Sequence, residues 1–361
     1  MSMDLSDTVI RKQARKQIQQ LGEIDLLLGV PSYNNEATVK TVLERVSRGA
    51  REHYPELNTL VMLSDGDSED DTRERARSAT IPEGTERIVT VYEGIPGKGS
   101  AFRTIFETAA CLDVDYCMVV DADLRTELES WVDKHLKPII EDGNDYQTPN
   151  YARHKHDGTI TNNVCFPMTA ALYGTKVRQP IGGDFALSGD LATFYAGEEE
   201  WDTHVARFGI DIWMTTCAIC EGFDIGQTNL GAKIHDPKDP GESLGPMFRE
   251  VVGTLFRMMK KYQDQWKSSS GINEAPVYGE PLTVEPEPVP VDRDGLRKRA
   301  LRGWEDNREL YSQILQDGTY RQLEKQMTNN DGELYTGDID ATLWYHMLFE
   351  YSVAYNFSDY D

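Results

Sequence analysis

The apolar run Tyr116-Cys117-Met118-Val119-Val120 ends in Asp121-Ala122-Asp123. A continuous apolar run of this length reads as a strand buried on both faces, the habit of parallel sheets covered by helices. Two carboxylates two residues apart at its end lose hydration unless something cationic meets them. In open α/β sheets, ligands bind beyond the carboxyl ends of the strands. A hard divalent ion held by these oxygens and by phosphate oxygens is the simplest cation to place there. Asp-x-Asp is also common in solvated loops and helix caps, so the neighbouring segments must carry the reading.

Those segments repeat one unit. Ile24 to Val30 is a first apolar run, and Glu36 to Glu52 has Val39, Val42, Leu43 and Val46 at helical spacing. Leu60 to Leu63 predicts a second strand, with a turn at Ser64–Ser68 and a helix from about Glu69. Ile88 to Tyr92 predicts a third, followed by a Gly-rich loop, Gly94–Gly99, and a helix through Ala110; Trp131 to Ile140 is helical after the fourth. Alternating strands and helices over about 120 residues predict a doubly wound, mostly parallel α/β sheet flanked by helices.

Beyond it the chain is less regular. Phe208 to Cys220 and Leu244 to Trp266 have helical spacing, and a short strand ends near Asn229-Leu230-Gly231. Ser268 to Pro290 is rich in Ser, Pro and Glu and predicts an extended linker. The expected organisation is an N-terminal helical segment (1–22), two halves of one α/β domain (23–143 and 144–267), a linker (268–291) and a helical C-terminal tail (292–361). Trp344, Met347, Leu348 and Tyr351 form an apolar stripe in the tail, which suits a clasp on the main domain or a homodimer contact.

Charge narrows the function classes. Lys plus Arg is 37 against 61 Asp plus Glu, a net charge of −24 over 361 residues. That balance argues against a general nucleic-acid binder and disfavours an anionic membrane surface. No stretch approaches about 18 uninterrupted apolar residues, and the first twenty residues lack an apolar signal core, so no membrane span and a cytoplasmic location are expected. The five cysteines suit reduced thiols, and Cys217 and Cys220 lie in an apolar helical run that favours packing over metal or redox chemistry.

Polar residues concentrate in four loops at strand ends: Pro31–Glu36, Ser64–Asp67, Gly94–Gly99 and Asp121–Asp123. One sheet edge would gather them into a single crevice. Gly97 and Gly99 permit close backbone approach, and Lys98 between them offers a point charge for a phosphate. The loop is neither a Walker A loop, since Ser100 does not directly follow a Gly-Lys pair, nor the dinucleotide fingerprint, whose glycine spacing differs.

With Gln179–Asp184, Phe208–Ile212 and Asn229–His235, these segments occur in the order found in nucleotide-sugar glycosyltransferases of the GT-A fold. From about Asp25 to Phe256 the chain resembles the retaining glucosyl-3-phosphoglycerate synthase and mannosylglycerate synthase group. The resemblance implies that Pro31, Ser32, Tyr33, Glu36, Asp65 and Asp67 hold the nucleoside. Gly97 and Lys98 would meet the diphosphate, Asp121 and Ala122 the ribose, and Gly182, Gly183 and Asp184 the sugar and acceptor. Asp123 and the distant His235 would be the protein ligands of Mg²⁺ or Mn²⁺, a donor set those ions accept. His154 and His156 read as loop residues near the acceptor.

Retention of configuration raises the question of a nucleophile. Asp211 stands where the family often carries Glu. Its shorter side chain favours electrostatic support and same-face substitution over covalent attack, with Asp211 and Lys98 as the catalytic pair; a plain helix-start role is the structural alternative. Thr161 matches an acceptor-binding Thr of the family, but Thr159 replaces an Arg that would grip an acceptor phosphate. Arg153, Lys155 or Arg178 can supply the missing charge, and an unphosphorylated acceptor such as glycerate is expected ahead of 3-phosphoglycerate. UDP-glucose is the expected donor, GDP-mannose the second choice. A sugar-nucleotide pyrophosphorylase would open with a Gly-rich, Arg-containing loop after the first strand, which Pro31–Asn35 is not; a silent nucleotide-sugar-binding scaffold would not need Asp123 and His235.

Overall fold

The computed structural model describes residues 8–234, 240–286, 288–289, 291–328 and 339–357. In chain order the first half comprises α1 (Lys12–Ile18), β1 (Leu26–Ser32), α2 (Val39–His53), β2 (Thr59–Asp65), α3 (Thr72–Arg77), β3 (Glu86–Val91), α4 (Lys98–Leu112), β4 (Tyr116–Val119) and α5 (Glu129–Asp142). The second half of the domain comprises β5 (Tyr146–Ala152), a π-helical turn (Thr161–Cys165), α6 (Phe166–Tyr173), β6 (Thr175–Lys176), β7 (Phe185–Ser188), α7 (Gly189–Gly197), α8 (Ile210–Cys220), β8 (Ile225–Ala232), α9 (Pro240–Lys261) and α10 (Gln263–Ser268). After it come β9 (Asn273–Glu274), β10 (Val277–Tyr278) and the tail helices α11 (Arg293–Ile314), α12 (Asp317–Met327) and α13 (Ala341–Phe357).

Eight strands form one sheet in the order β10-β8-β5-β7-β4-β1-β2-β3. All neighbours are parallel except β7, which runs antiparallel between β4 and β5. Each strand presents alternate residues to opposite faces. Along β1, Leu27 joins the layer of Phe102, Ile105 and Phe106 from α4. Leu26, Leu28 and Val30 join the opposite layer, with Val42 and Val46 from α2 and Trp131 and Leu136 from α5. Gly29 admits α4 closely, since a Cβ there would lie 2.5 Å from Ile105 Cγ2.

The region read as less regular contains three central strands. β5 and β8 are rich in polar residues, several of which pair with each other inside the sheet, while Gln147 Nε2 is buried without a hydrogen-bond partner. Thr228 Oγ1 donates to Gln147 Oε1 at 3.0 Å and Thr148 Oγ1 to the Gly226 carbonyl at 3.2 Å, with all four residues buried. Pro149 falls past the point where β7 pairs with β5, at Tyr146 and Gln147, so its missing N–H interrupts no β5–β7 pairing.

The segment expected to be an extended linker is stitched to the domain: β9 pairs with β6, and β10 adds a parallel edge strand beside β8. The tail has a small core of its own, built on Trp304, Leu315, Leu323, Met327, Leu343 and Met347. It packs on the main domain through α13 and α9, where Leu348 enters the large core. Among the described residues no helix is long and apolar enough to cross a membrane.

Candidate active site

The carboxyl ends of β1, β2 and β4 open on one side of the sheet, and a crevice of about 880 Å³ lies above them. Pro31, Ser32 and Tyr33 line one end with Asp67; Gly97 and Lys98, at the start of α4, line the middle with Asp121, Ala122 and Asp123. Gly182, Gly183 and Asp211 close the back, and Arg153 and Thr161 stand at the other end. The structure therefore gathers most of the site residues expected from sequence into one cavity.

Three of them do not reach its wall. Asp65 is fully buried and accepts from Ser32 Oγ at 2.7 Å, Ser68 N–H at 2.8 Å and Ser68 Oγ at 2.6 Å. It organises the β1 and β2 loops, and Asp67 is the carboxylate of the pair that faces the crevice, braced at 2.7 Å by Arg73 Nη1. Glu36 turns to the adjoining loop, where its carboxylate accepts the Asp71 N–H and its own N–H donates to Asp70. Asp184 lies behind the wall, fully buried; it accepts the Asp121 N–H at 2.9 Å and the Tyr151 hydroxyl.

At the centre is an ionic cluster. Lys98 Nζ lies 3.0 Å from Asp121 Oδ1 and 3.4 Å from Asp211 Oδ1. Lys233, at the end of β8, donates to Asp121 Oδ2 at 2.9 Å, Asp184 Oδ2 at 2.8 Å and the Gly182 carbonyl at 2.9 Å. Burial works against both ammonium groups, but the carboxylates around them prevail and hold both pKa values above the ordinary lysine value. Burial likewise opposes ionisation of Asp121, yet Lys233 and Lys98 pull its pKa well below the usual carboxylate range. Asp211 is the reverse: burial outweighs Lys98 and raises its carboxyl. In this cluster three carboxylates face two lysines, and Arg153 lies near Lys233, both cations standing over the Tyr151 ring.

Lys233 is the functional candidate that sequence reasoning missed, although it lies inside the quoted Asn229–His235 segment. Charge bookkeeping was the available signal. Three aspartates assigned to a buried strand-end site need more than Lys98 to balance them. Gly183 explains another restriction: with φ +88, it lies so close to Asp121 that a Cβ would meet Oδ2 at 2.2 Å.

For the expected metal, Asp121 is poorly suited, since both its oxygens engage lysines. Asp123 lines the crevice next to it, half-buried, and supplies the hard oxygen donor that Mg²⁺ or Mn²⁺ prefers. His235 lies outside the described residues. Among the described residues no group of three or more His, Cys, Asp or Glu is arranged to hold a metal ion. The described part of the donor set is thus one carboxylate, which fits a cation completed by phosphate oxygens.

Residues 28–184 match the family model of glycosyl transferase family 2. The fold is GT-A. A crystal structure of glucosyl-3-phosphoglycerate synthase from Mycobacterium tuberculosis with Mn²⁺, UDP-glucose and phosphoglyceric acid is 25% identical, with TM-score 0.52, covering 66% of this chain and 80% of that one. The same enzyme with Mn²⁺, UDP and glucosyl-3-phosphoglycerate gives 25% identity and TM-score 0.51 over 65% and 80% of the two chains. No curated protein matches the chain significantly by sequence. In this GT-A domain, the matched segment runs from within β1 to the residue before β7 and carries Lys98, Asp121, Asp123 and Asp184, whereas Asp211 and Lys233 come from beyond it.

Proposed function

We propose that this protein is a metal-dependent retaining glycosyltransferase. It moves a hexose, glucose before mannose, from a nucleoside diphosphate sugar to a small hydroxylated acid, glycerate before 3-phosphoglycerate. The observation that carries the reading is Lys98, held between Asp121 and Asp211 and facing a crevice that Asp123 also lines. The similar structures that contain UDP-glucose and phosphoglyceric acid support it.

Lys98 sits at the first turn of α4, where the ammonium and the helix N-terminus both favour a phosphate. A bound diphosphate draws Nζ away from its carboxylates and stabilises the charge that develops as the C1–O bond breaks. The acceptor oxygen forms the new bond to C1 on the same face, and its proton passes to the departing phosphate oxygen. Asp211, beside Lys98, supports the positive charge that builds on the sugar ring. Asp123, with His235 as the second ligand that the family resemblance implies, would hold the divalent ion, which would supply Lewis-acid stabilisation of the same leaving group.

Arg153 and Thr161 define the acceptor end. A Cβ on Gly158, at φ +63, would lie 2.7 Å from Arg153 Nη1 and 3.7 Å from Thr161 Oγ1, so both groups converge there. A guanidinium and a hydroxyl so placed suit an acceptor carboxylate. Arg178 instead donates to Asn162 Oδ1 at 2.8 Å and stacks on Phe166, and neither it nor Lys155 lines the crevice, which leaves the role to Arg153.

A donor-by-acceptor screen with mass detection tests the proposal. UDP-glucose with glycerate should yield a glycosylated acid and free UDP, both dependent on Mg²⁺ or Mn²⁺. Strong preference for 3-phosphoglycerate would reject the acceptor assignment. Nucleotide-sugar binding without turnover would favour the scaffold reading.

A further inference from the structure

The tail touches the domain at two places that bear on the crevice. On one side, Trp344 of α13 donates its indole N–H to the Asn163 carbonyl at 2.8 Å. Asn163 is the middle residue of the π-helical turn that begins with Thr161, and Thr161 lines the crevice. On the other side, Asn356 Nδ2 donates to the Phe256 carbonyl of α9 at 2.8 Å, and Tyr355 packs edge-on against the Phe256 ring. The preceding turns of α9 line the same crevice through Met247, Glu250 and Val251. One helix of the tail therefore touches two elements that line the crevice, the π-helical turn and α9.

A π-turn spaces its hydrogen bonds five residues apart, as in the Phe166 N–H donating to the Thr161 carbonyl, and is less stable than the α-helix it interrupts. Such a turn keeps its shape when neighbours hold its carbonyls. Leu348 fixes α13 in the main core, and Tyr351 packs against both the main and the tail cores, so Trp344 projects from a helix that is itself anchored.

We propose that Trp344 is a positioning residue for the acceptor: through Asn163 it holds the π-turn in the register that presents Thr161, so that α13 braces the acceptor site without lining it. This rests on the glycosyl-transfer reading for its kinetic consequence but not for its structural one. Through Trp344 the tail then sets how well the acceptor is held.

Trp344→Phe removes the indole donor and keeps an aromatic side chain; Val353→Ser, on an exposed position of the same helix, is the control. Hydrogen–deuterium exchange of the full-length protein should show amides within 161–166 exchanging about fivefold to tenfold faster in Trp344→Phe, the size expected for one lost hydrogen bond, with β1 and β4 and the control variant unchanged. With UDP-glucose and glycerate, the KM for glycerate should rise about threefold to tenfold, with the KM for UDP-glucose unchanged. Unchanged exchange at 161–166 overturns the proposal whatever the substrate, as does a rise of both KM values together. Faster exchange at 161–166 in a protein that glycosylates neither glycerate nor 3-phosphoglycerate supports the brace and rejects the functional reading beneath it.

Discussion

Lys233 Nζ lies 2.9 Å from Asp121 Oδ2, joining the end of β8 to the end of β4 across the intervening strands β5 and β7. The contact brings together residues 112 positions apart and fixes the carboxylate that also receives Lys98. The geometry around Lys98 thus depends on a lysine from a distant strand, itself largely buried at the crevice wall.

Removing that ammonium leaves Asp121 and Asp184 buried near one another with Lys98 as the remaining ion-pair partner. Lys233→Met should destabilise the protein by about 3–5 kcal/mol, as expected for breaking a buried ion pair from one side. The deficit should shrink in acid, because the abandoned carboxylates can take up a proton. Urea unfolding at pH 8 and pH 5.5 measures both effects; equal deficits at the two pH values would contradict the assignment.

Gly183→Ala tests the close approach to Asp121. The new methyl meets Oδ2 and must also adopt a left-handed backbone, a strain of about 1–2 kcal/mol. A loss of several degrees in Tm and at least a tenfold fall in kcat are expected from calorimetry and steady-state rates. Wild-type kcat would separate the Asp121 position from catalysis.

Asp211→Asn preserves shape and removes charge. We expect kcat to fall roughly tenfold to a hundredfold, with the KM for the nucleotide sugar changed by less. Burial raises the Asp211 carboxyl above its ordinary range, so the wild-type rate should decline on the acid side at a higher pH than a solvated aspartate would give. The Asn variant should lose that limb of the pH–rate profile.

His135 offers a stability test away from the site. It is fully buried on α5 with neither ring nitrogen hydrogen-bonded, and burial pushes its pKa down to about 3 from 6.5. The unfolded chain takes up this proton below about pH 6.5 and the folded protein does not. Stability from the neutral ring is therefore full above that pH and is lost as pH falls towards 3, at about 1.4 kcal/mol per unit. His135→Leu should flatten the change in unfolding free energy between pH 7 and 5.5 by about 1 kcal/mol.

The first half of the sheet was readable because its strands are unbroken apolar runs: Leu26–Val30, Leu60–Leu63 and Tyr116–Val119 cannot be placed elsewhere than between two covering layers. β5 was not, since Gln147, Thr148, Pro149 and Asn150 look like a loop until the partners of Gln147 and Thr148 on β8 are known. The site shows the same division. Lys98 and Asp121 announce themselves by local context, a glycine pair and a strand end. Lys233 and Asp184 acquire meaning only from a contact between distant segments, and the reversal of β7 that places Asp184 follows no local rule. Glu36 and Asp65 lie in loops beside the crevice, but which carboxylate of a loop faces it depends on hydrogen bonds that spacing does not reveal.

The edge strand β10 ends at Tyr278 and α11 begins at Arg293, so the tail hangs from a fixed point by about 14 residues, a reach of no more than about 50 Å. Severing that leash by limited proteolysis would leave the eight-stranded sheet whole and convert an intramolecular grip into an encounter between two fragments. Dilution would then loosen a contact that the uncut protein keeps at every concentration.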